Sequence, residues 1–127
     1  MYKNKVVGFE IPAADFGKAK AFYGSVFDWK LDPMGDEGFM VETTKSDKDQ
    51  NPLEPGGING GIYKRESARQ QPSFMVETES IDDTLERVEQ AGGKVLAPKH
   101  PLDGMGFMAD IADPEGNEIT LWEKAKK

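Results

Sequence analysis

Residues 113–123 read DPEGNEITLWE, and the reading of this stretch decides the fold. Asp113-Pro114-Glu115-Gly116 has Asp at the first turn position, Pro with its fixed φ at the second and Gly at the fourth, the chemistry of a type I turn between two antiparallel strands. Beyond it, Ile119 and Leu121 alternate with Glu118, Thr120 and Trp122, so one face of the strand is apolar and the other polar or aromatic. Thr120 points away from the apolar face.

Working back from that turn, strands are expected at 106–111, 94–97 and 74–77. Between the last two lies a helix at 80–91, with Ile81, Leu85 and Val88 on one side and Gly92-Gly93 as its stop. The order is βαβββ. The first half repeats it: a strand at 5–11, a helix at 15–27 capped by Asp15, and strands at 29–32, 38–43 and 58–64. An offset of 65 lays Phe9 on Phe74, Ile11 on Val76, Asp15 on Ser80, Tyr23 on Val88 and Pro33 on Pro98 without a gap, and Gly38-Phe39-Met40 matches Gly106-Phe107-Met108 at an offset of 68. The halves look duplicated. They form modules at about 5–65 and 72–123, joined by a polar linker at 66–71, in a single α+β domain over 1–127. The stretch 44–57 reads as an irregular, mobile loop.

A chain of 127 residues can bury an ordinary core. Its 16 Lys and Arg against 23 Asp and Glu leave a net charge of −7, which argues against nucleic acid and anionic membranes as partners. The absence of cysteine excludes disulfides, thiolate metal sites and cysteine nucleophiles. No signal-peptide h-region or membrane-spanning stretch is visible, so a soluble cytoplasmic protein is the expectation. Gly56-Gly57 and Gly60-Gly61 are not followed by a helix or a Lys-Ser/Thr, so a phosphate cradle fails its context test.

Four stretches, VVGFEIPAADFGKAKAFYGSVFDW at 6–29, GGINGGIYKR at 56–65, SIDDTLERVEQAGGKVLAPK at 80–99 and GMGFMADIADPEGNEITLWE at 104–123, resemble the vicinal oxygen chelate superfamily in order and spacing. That group includes glyoxalase I, extradiol dioxygenases and the bleomycin-resistance proteins. The resemblance implies two βαβββ modules curved into half-barrels around a concave cavity, with the helices outside. It also implies a metal ligand, His or Glu, on the first and last strand of each module. Those places carry over to Gly8, Gly61, Ser73 and Thr120. Glycine has no side chain, and neutral hydroxyls are poor ligands beside imidazole or carboxylate, so no metal and no cofactor is expected.

Alternation independently selects the residues opposite the apolar faces. These are Gly8 and Glu10, Asn59, Gly61 and Tyr63, Ser73 and Met75, and Glu118, Thr120 and Trp122, with Phe107 as adaptable packing. Phe9, Ile11, Ile58, Ile62, Phe74 and Val76 should lie under the helices, with Phe22, Tyr23 and Phe27 in the core. The single histidine, His100, falls in Pro98-Lys99-His100-Pro101, read as a solvated loop. Strand carboxylates at Glu10, Glu42, Glu77, Asp110 and Glu118 are the remaining route to a cation. The expected function is metal-free binding of a small organic molecule, cationic or aromatic, by a homodimer comparable to the bleomycin-resistance branch. The alternative is an enzyme related to glyoxalase I or the extradiol dioxygenases, with atypical metal ligands or acid–base chemistry at Glu10 or Glu118 and Tyr63.

Overall fold

The computed structural model describes residues 2–68, 70–102 and 104–126. Its elements are β1 (Val6–Ala13), α1 (Phe16–Val26), β2 (Lys30–Pro33), β3 (Gly38–Glu42), β4 (Asn59–Lys64), β5 (Ser73–Glu77), α2 (Ile81–Gln90), β6 (Lys94–Leu102), β7 (Gly106–Ala112) and β8 (Glu118–Lys124). This is an α+β fold with βαβββ written twice. Residues 8–72 form one compact unit; residue 73 onward, with the short segment before residue 8, forms the other.

The two units share one topology. The first orders its strands β2-β3-β4-β1 and the second β6-β7-β8-β5. In each, the opening strand runs parallel to the closing one, β1 to β4 and β5 to β8, and the remaining pairs are antiparallel. Antiparallel neighbours need only short turns, whereas the parallel return requires the rest of the module to intervene.

Helix starts follow from local chemistry. Asp15 caps α1 by accepting from the Lys18 N–H at 2.9 Å, and Ser80 caps α2 by accepting from the Asp83 N–H at 3.2 Å. Tertiary contact supplies a second cap to α2: the buried Glu123 carboxylate on β8 accepts from the Ile81 N–H at 2.7 Å. Each helix covers one face of its sheet. Ala13, Phe39, Val41 and Ile62 are buried with Phe9, Ile11, Ala19 and Tyr23 against them; Ile81, Ala109, Ile111 and Leu121 are buried with Val76, Leu85 and Val88.

Four expected core residues lie further out. Phe22 and Phe27 are 51% and 52% exposed, because α1 turns Phe16, Ala19 and Tyr23 toward the sheet and leaves the two phenylalanines flanking the Tyr23 ring. Phe74 is 42% exposed: α2 lies over β6, β7 and β8, which leaves this residue of β5 outside its cover. Ile58 precedes β4 and is 39% exposed. The strand at 94–97 also runs on to Leu102, so Pro98 to Pro101 is strand rather than loop.

Both modules carry the same turn. Asp113 Oδ1 accepts from the N–H groups of Glu115 and Asn117, each at 2.9 Å, while Asn117 Nδ2 donates to Oδ2 at 2.9 Å. Asp47 does the same with Asp49 at 2.8 Å and Asn51 at 3.0 Å, and Asn51 Nδ2 donates to its Oδ2 at 3.4 Å. Ser46 bridges Pro52 as Ala112 pairs with Glu118. The stretch read as an irregular loop therefore contains a hydrogen-bonded copy of the DPEGN turn. Its fourth residue, Gln50, has φ +68°, and the fourth residue of the other copy, Gly116, has φ +86°. Backbone bonding from Asn51 holds the Asp47 carboxyl below its usual range; side-chain and then backbone bonding from Asn117 does so for Asp113.

Candidate ligand-binding face

Opposite each helix, alternation and pairing register assemble a helix-free face. In the first unit Gly8 pairs with Asn59, Glu10 with Gly61 and Pro12 with Tyr63, so these side chains share that face; Met40 and Gly38 join them from β3. Lys30 lies 3.9 Å from both Asp32 and Glu42 at the β2 edge, which commits Glu42 to an ion pair. Asn59 is committed as well. Its Oδ1 accepts from the N–H groups of Thr43 at 2.8 Å and Thr44 at 3.4 Å, and its Nδ2 donates to Ser46 Oγ at 2.6 Å and the Gln50 carbonyl at 3.1 Å. All four hydrogen-bonding capacities of that amide are used on the turn-bearing segment, so Asn59 is a structural clamp with none left for a ligand.

In the second unit Met75 pairs with Thr120 and Glu77 with Trp122 across β5 and β8, and Asp110 with Thr120 and Met108 with Trp122 across β7 and β8. Ser73 and Glu118 lie in the same alternation, Glu118 at the exposed rim. Trp122 lies across the sheet: a Cβ added at Gly106 would stand 2.9 Å from its Cη2, so the indole occupies the space that glycine leaves. Glu77 meets Lys124 at 3.4 Å. Phe107 is the exception. Expected on this face, it packs on the helix side with Ile111 and Leu121, because its neighbours Gly106 and Met108 hold the alternate positions; Lys99 Nζ sits 4.5 Å from its ring centroid. Met108 takes the place expected for Phe107.

Thr120 is 3% exposed, and its hydroxyl donates to Asp110 Oδ1 at 3.0 Å. The carboxylate thus stands one strand over from the position where the resemblance calls for a ligand. No group of three His, Cys, Asp or Glu side chains converges among the described residues in a way that could hold a metal ion. With Gly8, Gly61, Ser73 and Thr120 at the four implied places, the residues present do not fit a divalent-metal centre. Three of the five strand carboxylates are committed to separate partners: Glu42 to Lys30, Glu77 to Lys124 and Asp110 to Thr120. His100, read from the sequence as a solvated loop residue, is instead carried by β6 on the same face as Met108, its register partner. Pro101 was the available signal, since a residue before proline is driven toward extended backbone.

The chain is 26% identical over 134 residues to the anthracycline biosynthesis protein DnrV of Streptomyces peucetius, covering 91% of this chain and 46% of that one. It is 25% identical over 122 residues to the CFP32 protein of Mycobacterium tuberculosis, with 90% and 43% covered. It therefore spans less than half the length of either relative. Among solved structures, methylmalonyl-CoA epimerase of Streptomyces coelicolor, in complex with 2-nitronate-propionyl-CoA, superposes with a TM-score of 0.65 at 15% identity over 96% of this chain and 98% of that one. A glyoxalase/bleomycin resistance protein/dioxygenase superfamily member from Vibrio splendidus gives 0.61 at 11% identity, with 95% and 99% covered. These two likenesses establish the fold. Residues 5–121 match the Glyoxalase/Bleomycin resistance protein/Dioxygenase superfamily, and the chain belongs to it.

Proposed function

We propose that this chain binds a small organic molecule on its helix-free faces without a family-type metal. The observation that carries the reading is the Thr120–Asp110 hydrogen bond, which turns a metal-ligand position into a buried polar contact. In the second unit, Met75, Met108 and the Trp122 indole laid over Gly106 offer a flat, polarisable wall suited to an aromatic or cationic ligand. In the first unit, Glu10, Gly61 and Tyr63 share a face with Met40. The Streptomyces coelicolor epimerase holds a small organic ligand on the same fold. The reading includes a cytoplasmic homodimer. The dimer is supported by Phe22, Val26 and Phe27, each more than half exposed in one region of α1 and its end. Among the described residues, no helix is long and apolar enough to cross a membrane.

The test is elemental analysis of untagged protein after exposure to Mn, Fe, Co, Ni and Zn salts and desalting, paired with ligand titration of Trp122→Ala. Less than a tenth of an equivalent of metal is expected, and ligand affinity should fall far more than thermal stability. Near-stoichiometric metal would overturn the reading in favour of lyase or dioxygenase chemistry. Equal losses of affinity and stability in Trp122→Ala would remove the indole from the site.

A further inference from the structure

The one histidine of the chain is unused by the reading above, yet the register brings it to the Trp122 side of the second unit. His100 pairs with Met108, and Met108 pairs with Trp122, so one row of directly opposed residues runs His100, Met108, Trp122 across β6, β7 and β8. Opposed residues in antiparallel strands point to the same face. Strand β6 has register shifts between Val95 and Ala97 and between Ala97 and His100. Two shifts cancel in parity, so simple alternation from Val95, which opposes the buried Ile111, gives the same answer as the ladder: Lys99 turns to the helix side and His100 away from it. Lys99 is indeed found on the helix side, 3.6 Å from Glu123 and 3.4 Å from Asp82.

The imidazole is exposed and its ring is oriented by a backbone contact. His100 Nδ1 lies 3.0 Å from the Pro98 carbonyl oxygen, and because a carbonyl only accepts, that bond requires the proton on Nδ1. The neutral ring then presents Nε2 as a hydrogen-bond acceptor. Pro98 and Pro101 restrict the backbone on either side, which lowers the entropy lost when the ring engages a ligand. The backbones of His100 and Trp122 stand about 10 Å apart, two inter-strand spacings, with Met108 as the floor between them. The charged groups nearest this row are the carboxylates Glu77 and Asp110 and the cation Lys124, while Glu118 and Lys94 share the face at its other end. Glu77 is already paired with Lys124, and Asp110 accepts from Thr120. An anionic ligand would meet two carboxylates here, whereas a neutral hydroxyl would meet an acceptor.

We infer that His100, Met108 and Trp122 form a subsite for a neutral aromatic alcohol. Its ring lies over the thioether and the indole, and its hydroxyl donates to His100 Nε2. This inference rests on the small-molecule reading above and names the chemistry of one part of that ligand.

The experiment is calorimetric titration of the full chain with β-naphthol and with its methyl ether, which keeps the rings and loses the donor. Wild type should bind the alcohol about tenfold more tightly, the scale of one net hydrogen bond. In His100→Phe the two affinities should come within about twofold, since the acceptor is gone; Trp122→Ala should weaken both. His100 is exposed, and unchanged melting of His100→Phe would show that folding is not the cause. Equal binding by wild type, or a preference that survives in His100→Phe, overturns the histidine's role. If neither naphthalene binds, the subsite is overturned. Benzyltrimethylammonium then separates the two readings: binding that depends on Trp122 leaves the small-molecule reading standing, and its failure as well removes both.

Discussion

At the scale of single residues, the two glycines Gly60 and Gly61 show how the same residue type serves two purposes. A Cβ at Gly60 would stand 2.2 Å from the Phe9 carbonyl oxygen, a backbone atom that cannot rotate away. A Cβ at Gly61 meets nothing nearer than the Phe39 carbonyl oxygen at 3.4 Å. Gly60→Ala should therefore cost at least about 2 kcal/mol through overpacking, while Gly61→Ala changes stability by less than about 0.5 kcal/mol; thermal melts of the pair check this. The turn copies provide a second comparison. Gln50 holds a left-handed backbone that Gly116 adopts without a Cβ penalty. Gln50→Gly should stabilise by about 0.5 kcal/mol and Gly116→Ala destabilise by about 1 kcal/mol, read from denaturant midpoints. The sequence disclosed the Gly116 turn because Pro and Gly mark it. It concealed the Asp47 turn because Lys48 and Gln50 stand where Pro114 and Gly116 would have signalled it.

At the scale of elements, α2 depends on a residue from another element. Glu123 is 8% exposed, takes the Ile81 N–H at 2.7 Å and lies 3.6 Å from Lys99. Glu123→Ala strands the Ile81 N–H, while Lys99 keeps Asp82, and should cost about 1–3 kcal/mol. Glu123→Gln keeps an acceptor for the helix and should cost markedly less; urea unfolding of both variants decides it. The twin turns give a pH dependence with a definite sign. Asp47 and Asp113 have folded pKa values lowered from about 3.8, so their contribution is fully present above that pH and is lost as pH falls below it toward the folded values. Asp113→Asn should flatten the acid limb of a stability–pH curve, and an unchanged limb would refute the assignment. Element order was legible because the periods of two and of 3.6 residues are clean in strands 73–77 and 118–124 and in helix 81–90. Strand β6 was cut short because its prolines imitate a loop, and helix cover over Phe74 depends on a placement that alternation does not encode.

At the scale of the whole molecule, the acidic composition separates two events on acidification. Net charge reaches zero near pH 4.7, above the range in which the turn aspartates lose their bonds. Turbidity should therefore peak near pH 4.7 while circular dichroism is still native, and secondary structure should fail only at lower pH. Coincident transitions would contradict this order. Much of the candidate face could be read from two-residue alternation, because Thr120 and Trp122 differ so plainly from Ile119 and Leu121. The commitment of Asn59 to a distant turn, and the placing of Phe107 on the helix side, needed three dimensions. The irregular strand β6 also bears on aggregation. It is the outer strand of its unit's sheet, as β2 is of the other, and an outer strand offers a row of unpaired peptide groups to any chain that can align with them. Two register shifts and two prolines break that row in β6, and β2 is only four residues long and ends in Pro33. Each of these outer edges is therefore a poor template for one more strand, which would keep a concentrated solution of this protein from knitting itself into fibres.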